Sequence, residues 1–376
     1  MYNLKSPAPL DLGKQALDFA LHPSQDLLVS GLITGKVDCH RYGLEKHDLL
    51  WREKVFKKSC RGVVFNPDGS QIYSISKDKS IFCLDTETGK TVSSKEDAHE
   101  EPPCTLLCLN ENMIATGDDQ GVIKLWDNRK QDPVMVYSEH EDFIADMAFN
   151  ADKRTLVVAG GDGYLSTWDI RKKDVVAMSD HMEDELLSVT LVKNGQKALV
   201  GSQEGILSLW TWGDWGDYKD RIVGHPNSID SICKLDEDTV CTASGDGLIR
   251  LVGILPNEFH GIIGDHGDQM PVEHLGLTHD KKYLLSSGHD TSIRFWDVGH
   301  LFSEEDEVAE GETEKEKEED KSGKDAAQDS DDDDDDDDDD SDEEPKKKAK
   351  GKKRKQKAKQ QYQPPKKRNT AFFADL

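Results

Sequence analysis

The sequence has no run approaching the roughly 20 apolar residues that a membrane-spanning helix needs, and its start, Met1-Tyr-Asn-Leu-Lys-Ser-Pro7, has no apolar centre of the secretory kind. A soluble protein made inside the cell, with no membrane contact, is therefore expected. The seven cysteines (39, 60, 83, 104, 108, 233 and 241) are an odd set without the spacing of a disulfide framework, and they read as reduced thiols. Catalytic signatures are missing too. There is no Gly-x-x-x-x-Gly-Lys-Ser/Thr loop, no dinucleotide fingerprint, no Gly-x-Ser-x-Gly elbow and no His-Glu-x-x-His. Cys104-x-x-x-Cys108 has no second ligand pair at zinc spacing, so both are expected to be buried thiols, and His181-Met-Glu-Asp-Glu185 reads as a structural histidine with acidic neighbours. The expectation is a protein without catalytic residues, metal or cofactor.

What the sequence does contain is charge, unevenly placed. Of 48 Lys+Arg and 75 Asp+Glu, residues 303–344 hold 4 and 26, while residues 345–370 hold 13 bases and no acid. Residues 1–302 keep 31 bases and 48 acids, a net of −17. The last 74 residues are thus a charge-block segment expected to be disordered, and the first 302 remain to build a core.

Within those 302 residues one segment recurs. Asp290-Thr-Ser-Ile-Arg-Phe-Trp-Asp297 reappears around Leu84, Trp126 and Trp168, and more weakly around His40, Trp210 and Val252. Including Trp296, the steps between these positions are 44, 42, 42, 42, 42 and 44 residues. Each unit holds short β-branched runs, such as Ala145–Phe149 and Leu156–Ala159, separated by Asn, Asp and Gly turns. No long 3.6-residue apolar period interrupts them, so the chain is all-β. Four strands per unit of about 40–45 residues describe one blade of a propeller, and seven units close a ring. The segment from Leu4 to Gly13 precedes the first unit and is expected to supply the outermost strand of the last blade, leaving no open edge.

The units resemble the WD-repeat family. The resemblance is carried by Trp126-Asp127, Trp168-Asp169 and Trp296-Asp297, and by His99, His140, His181, His225 and His266, each 27–30 residues before its tryptophan position. It implies a buried hydrogen-bonded set of His, turn Asp and Trp in each complete blade. His140, Asp162 and Trp168 form the fullest copy, with Asp290 and Trp296 in the last blade. Seven copies at one period are a packing device rather than an active site. Blades one, two and six, with His40, Leu84 and Val252 in place of tryptophan, are expected to be the softer ones.

Function is then expected on surfaces. Trp212 and Trp215, in the Gly/Asp-rich insertion Thr211–Tyr218, are either interface anchors or covers for the edge of blade five. Arg129 and Arg171 end two Trp-Asp-x-Arg segments, a pattern similar to the one by which many propellers dock on the adaptor of cullin-RING ubiquitin ligases; plain surface decoration is the alternative. Ten aspartates, residues 331–340, would either mimic nucleic acid for basic partners, histones included, or act as a solubilising spacer. Ser330 and Ser341 flank them with acids downstream, as acidophilic kinases prefer. Lys346, Lys347, Lys348, Lys352, Lys353, Arg354 and Lys355 belong to basic clusters expected to target the nucleus and nucleolus and to touch RNA without sequence preference. Phe372, Phe373 and Leu376 near the end of the sequence are read as a short docking motif, with an accident of composition as the alternative.

A ring beginning near Met1, an acidic then basic tail and the terminal Phe372-Phe373-Ala-Asp-Leu376 together resemble the WD repeat-containing protein 55 family, fungal relatives included. The implied organisation is a propeller over 1–302, an acidic segment over 303–344, a basic targeting segment over 345–371 and the docking motif over 372–376. The implied role is that of a non-enzymatic nucleolar factor in ribosomal RNA processing and large-subunit assembly, a monomeric subunit among pre-ribosomal proteins. A ligase substrate receptor and a histone chaperone are the rival readings.

Overall fold

The computed structural model describes residues 6–267 and 270–302. Twenty-eight strands and a single 3-10 turn, Gly299–Leu301, make up its regular structure. The strands form seven four-stranded antiparallel sheets. Blade one is β2 (Ala16–Leu21), β3 (Leu27–Leu32), β4 (Lys36–Arg41) and β5 (Asp48–Lys54); blade two is β6 (Cys60–Phe65), β7 (Gln71–Ser76), β8 (Ile81–Asp85) and β9 (Thr91–Lys95). Blade three runs β10 (Pro103–Asn110), β11 (Met113–Asp118), β12 (Ile123–Asp127) and β13 (Met135–Tyr137); blade four runs β14 (Ile144–Asn150), β15 (Thr155–Gly160), β16 (Leu165–Asp169) and β17 (Ala177–Met178). Blades five and six repeat the order from β18 (Leu186–Val192) to β21 (Asp220–Val223) and from β22 (Ile229–Lys234) to β25 (Glu258–Asp265).

Blade seven has only three strands of its own, β26 (Val272–Leu277), β27 (Tyr283–Gly288) and β28 (Ser292–Asp297). Its fourth is β1 (Leu10–Asp11), antiparallel to β28 with Leu10 opposite Ile293. The N-terminal segment therefore closes the ring, and the Leu12 amide donates to Thr291 O at 2.9 Å. The closure is also apolar. Leu10 and Leu12 are buried with Phe19 and Leu28 of blade one and Leu285, Ile293 and Phe295 of blade seven. Arg52 of blade one adds a charged clasp, donating through Nε to the buried Asp38 carboxylate at 2.8 Å and through Nη2 to Leu12 O at 3.3 Å.

The register explains the period. His40, Leu84, Trp126, Trp168, Trp210, Val252 and Trp296 all occupy the same place on the third strand, each opposite a buried apolar residue on the second: Leu28, Ile72, Ile114, Leu156, Ala198, Val240 and Leu284. Because each sheet packs on both faces, these middle strands are buried almost continuously rather than alternately, with serine and threonine among their apolar residues. Each innermost strand carries a register shift near its start, at Leu17, Arg61, Cys104, Ala145, Leu187, Asp230 and Glu273. A bulge at one level in every blade bends the strands that line the axis in the same sense.

Because Leu12 is buried only by the closure, Leu12→Ala should cost about 2–5 kcal/mol in urea unfolding. Hydrogen exchange should show the loss first in β1 and β28. A change under about 0.5 kcal/mol, the range of inert surface substitutions, would contradict a load-carrying closure.

Candidate docking surface

In blades three and four the repeating His and Asp side chains bond inside the sheets. In blade three, His99 Nδ1 lies 2.9 Å from Asp118 Oδ2 and its Nε2 lies 2.6 Å from Thr116 Oγ1, which also accepts Trp126 Nε1–H at 2.8 Å. Nδ1–H donates to the carboxylate, which leaves Nε2 to accept from the hydroxyl, and the hydroxyl oxygen accepts from the indole. Burial would raise Asp118, but hydrogen bonds from His99, Val122 and Gln120 hold it below the usual carboxylate range, while burial lowers His99. Blade four brings His140, Asp162, Ser166 and Trp168 together in the same way: 3.0 Å from Nδ1 to Asp162, 2.7 Å from Nε2 to Ser166 Oγ, and 2.8 Å from Trp168 Nε1 to that hydroxyl.

Two sequence expectations change here, at Asp290 and at His181. The acid of blade three is Asp118; Asp119 instead accepts a bidentate bridge from Arg61 of blade two at 2.8 and 2.9 Å. Asp290 does not reach His266. It pairs with Arg294 at 3.0 Å, and His266 Nδ1 has no partner among the described residues, although Nε2 and the Trp296 indole both meet Ser286 Oγ. The cause lies four residues along the chain. Asp162 is followed at that distance by Ser166, which leaves the carboxylate free for histidine, whereas Asp290 and Asp246 are followed by Arg294 and Arg250, which capture it. Burial then pushes His266 and His225 down to about 4. Finally, His181 is exposed, with its ring 5.1 Å from Tyr164, and takes no part in the blade-five set.

Trp212 and Trp215 meet edge to face at 5.1 Å. Trp215 is only 6% exposed and packs with Ala198, Val200 and Trp210, so it is a cover for blade five and is not presented to a partner. Trp212 is half-buried beneath Lys153 Nζ, 3.9 Å above its ring. Cys104 and Cys108 are half-buried on β10, and burial raises both thiols, Cys108 to about 11.

Arg129 and Arg171 have matching settings at the ends of β12 and β16. Each guanidinium forks onto the aspartate two residues before it, Arg129 on Asp127 at 2.8 and 2.7 Å and Arg171 on Asp169 at 2.7 and 2.7 Å. The arginine hydrogen bonds hold both carboxyls well below the usual range. Both arginine side chains stay exposed, 69% and 57%, with outer N–H groups turned to solvent. They are two fixed cationic donors on one face of neighbouring blades.

The axis holds a feature that the sequence reading missed. Residues just past the bulges stitch blade to blade. Val63 N donates to Asp18 Oδ2 at 2.8 Å, Val189 N to Asp146 Oδ2 at 2.9 Å, Leu275 N to Ser231 Oγ at 3.3 Å, and Ser188 Oγ to Ile229 O at 2.8 Å. Only the period of the bulges could have revealed them, because the residue type varies. Burial pushes Asp146 up to about 6, and burial together with the neighbouring Glu273 does the same to Asp230.

The family model WDR55 matches residues 7–301, the whole described ring. The chain belongs to the WDR55 family. Its similarity to family members is even across kingdoms. It is 48% identical to WD repeat-containing protein 55 of Danio rerio over 301 residues, 79% of this chain and 78% of that protein. It is 41% identical to the Bos taurus protein of the same name over 298 residues, 79% and 78% of the two chains. WD repeat-containing protein JIP5 of Cryptococcus neoformans is 38% identical over 304 residues, 77% and 81%. The family's shared part is therefore the WD-repeat propeller, a protein-interaction scaffold. Phe372, Phe373, Leu376, the basic cluster from Lys346 to Lys355, Ser330 and Ser341 all lie outside the described residues.

Two measurements follow. Asp162→Ala strips His140 Nδ1 and the Glu141 amide of their acceptor and should cost about 3–5 kcal/mol, while Asp290→Ala, which breaks a partly exposed ion pair, should cost about 1 kcal/mol or less. Equal losses in urea unfolding would contradict the assignment. The second concerns pH. A carboxyl raised to about 6 favours the folded state fully below its unfolded value near 3.8 and loses that contribution as pH rises through 6. Asp230→Asn should therefore stabilise the protein at neutral pH by roughly 1–3 kcal/mol and much less near about pH 4.5. A difference that does not vary with pH would refute it.

Proposed function

We propose that the chain is a non-enzymatic scaffold of ribosome biogenesis that holds pre-ribosomal proteins together during ribosomal RNA processing and large-subunit assembly in the nucleolus. One observation supports the non-enzymatic part: in blades three and four the recurring His, Asp, Ser, Thr and Trp side chains are spent on one another inside the sheets. What faces outward is a rigid ring with charged strand ends. Membership of the WDR55 family supports the assembly role, since that is what the resemblance implies. The acidic and basic blocks beyond residue 302 suit a compartment rich in nucleic acid and basic proteins.

A second reading, substrate receptor of a cullin-RING ligase, is favoured by one observation. Arg129 and Arg171 are braced identically and left exposed.

Affinity purification of the tagged full chain from nuclease-treated nuclear extract separates the two. Recovery of large-subunit pre-ribosomal proteins, unchanged by Arg171→Ala, is expected. A ligase adaptor recovered instead and lost with Arg171→Ala would favour the second reading, and core histones lost on deleting residues 331–340 would favour a chaperone. Deleting residues 346–368 should release a fluorescent fusion from the nucleus; unchanged localisation would oppose the targeting role.

A further inference from the structure

Two residues before the tryptophan position, the third strand of three blades carries a cation that is spent on its own blade. Arg250 of β24 (Leu248–Gly253) forks onto Asp246, four residues back, at 3.0 and 2.6 Å. Arg294 of β28 meets Asp290 at 3.0 Å and reaches His266 O, in the loop before its blade, at 2.7 Å. Lys124 of β12 donates to Ala98 O at 2.8 Å, again in the loop before the blade.

Blade two keeps the acid and lacks the cation. Register puts Phe82 of β8 opposite Ser74, as Arg250 stands opposite Thr242 and Arg294 opposite Ser286. Asp78 lies four residues before Phe82, in the place of Asp246 and Asp290. Phe82 meets Phe56, in the loop before blade two, edge to face at 5.1 Å. Beside it a cavity of about 140 Å³ is left, lined by the apolar Val55 and Phe82 and by Asp78, Glu96 and Asp97. A space of that size takes a benzene ring, and so a planar guanidinium. At the corresponding place in blade four the chain supplies two rings of its own, Tyr164 against His181 at 5.1 Å. The matching loop bonds Ala98 N–Lys79 O and Met182 N–Gly163 O put the small Ser80 and the acid Asp97 at those two positions in blade two.

The carboxylates there have no cation of their own. Those of Glu96 and Asp97 are exposed, with no hydrogen-bond or ion-pair partner among the described residues, and Asp78 accepts from neutral donors, the Lys57 amide at 2.8 Å and Ser80. Nearby lysines are engaged elsewhere: Lys54 on Thr34 O, Lys79 on Glu100 O, and Lys95 on the carbonyls of Lys130 and Gln131. Lys57 also lines the cavity, which leaves three carboxylates against one ammonium. The arginines of this part of the ring are taken too, Arg52 by Asp38 and Arg61 by Asp119.

We propose that this cavity receives an arginine side chain from a basic segment of a partner protein, its stem on Val55 and Phe82 and its guanidinium among Asp78, Glu96 and Asp97. The incoming group completes in blade two what Arg250 and Arg294 complete in their own blades. Guanidinium suits the site better than ammonium because it is flat, is weakly hydrated and forks onto carboxylates.

The inference rests on the scaffold reading in taking a protein as ligand, and its test needs no ribosomal partner. The full chain, labelled with 4-fluorophenylalanine and with the Phe82 resonance assigned through Phe82→Leu, is titrated with the peptide acetyl-Gly-Ser-Gly-Arg-Gly-Ser-Gly-amide. Its citrulline counterpart, which keeps the shape and loses the charge, is the control. A saturable shift of the Phe82 resonance is expected with the arginine peptide, weakened at least about tenfold with citrulline. Peptide held by the aspartates at residues 331–340 leaves that resonance unmoved, so the two are told apart. Ser80→Tyr should block the cavity as Tyr164 does in blade four. Glu96→Gln with Asp97→Asn, two exposed positions that leave the sheet untouched, should weaken binding about tenfold and decides the matter if Ser80→Tyr fails to fold. Equal response to the two peptides, a shift confined to other phenylalanines, or undiminished binding to the folded Glu96→Gln/Asp97→Asn chain would overturn the site. Arg354→Gln with Arg368→Gln should leave the affinity unchanged; a tenfold gain would make this chain's own basic segment the occupant and overturn a partner's arginine. Co-purification of pre-ribosomal proteins with the Glu96→Gln/Asp97→Asn chain separates failure here from failure of the scaffold role.

Discussion

A buried hydroxyl is the group on which the blades depend. In five of the seven blades a serine or threonine oxygen lies where an indole N–H, an imidazole or both converge: Thr116, Ser166, Ser208, Thr242 and Ser286. In blades three and four it accepts from tryptophan while the histidine ring finds partners at both nitrogens, so two bulky side chains enter the sheet interior with their polar atoms met. An unmet group there would cost about 1–3 kcal/mol. In blades three, four and seven this hydroxyl joins the histidine of the loop before the blade to the tryptophan of its third strand. Packing between blades then supplies the apolar part, with clusters that each span neighbouring sheets.

Much of this was legible in the residues. The 42- to 44-residue steps placed seven equivalent positions, and the register puts all seven at one level of the third strand. The expectation that the N-terminal segment would close the last blade came from counting strands, and β1 beside β28 is that closure. The hydroxyl was not legible. It sits on the second strand in blades three, six and seven but on the third in blades four and five. The two places face each other in register, Thr116 opposite Lys124 and Ser166 opposite Val158. A group that can come from either of two paired positions leaves no fixed spacing for a one-dimensional reading to find. The acid is similar: Asp118 and Asp162 serve the same role from places two residues apart.

Local competition accounts for the rest. Asp290 had the right spacing to serve His266, yet an arginine four residues later holds it, and the same substitution recurs with Asp246 and Arg250. Blades six and seven thus exchange a histidine–carboxylate link for an arginine clasp, in blade seven reaching His266 O at 2.7 Å. The insertion carrying Trp215 had two open readings, and burial against Trp210 decides for covering. At the ends of β12 and β16 the braced guanidinium groups of Arg129 and Arg171 stay exposed.

The central claim is that seven equivalent sheets form one closed ring held by interior polar links rather than by any single blade. Hydrogen exchange of the intact chain, followed by mass spectrometry, tests it most directly. Slow exchange is expected in the second strand of every blade, blade seven with its β1 closure included, and it should be somewhat faster in blades one, two and six, where His40, Leu84 and Val252 stand in place of tryptophan. Rapid exchange of blade seven while the others stay protected would contradict it.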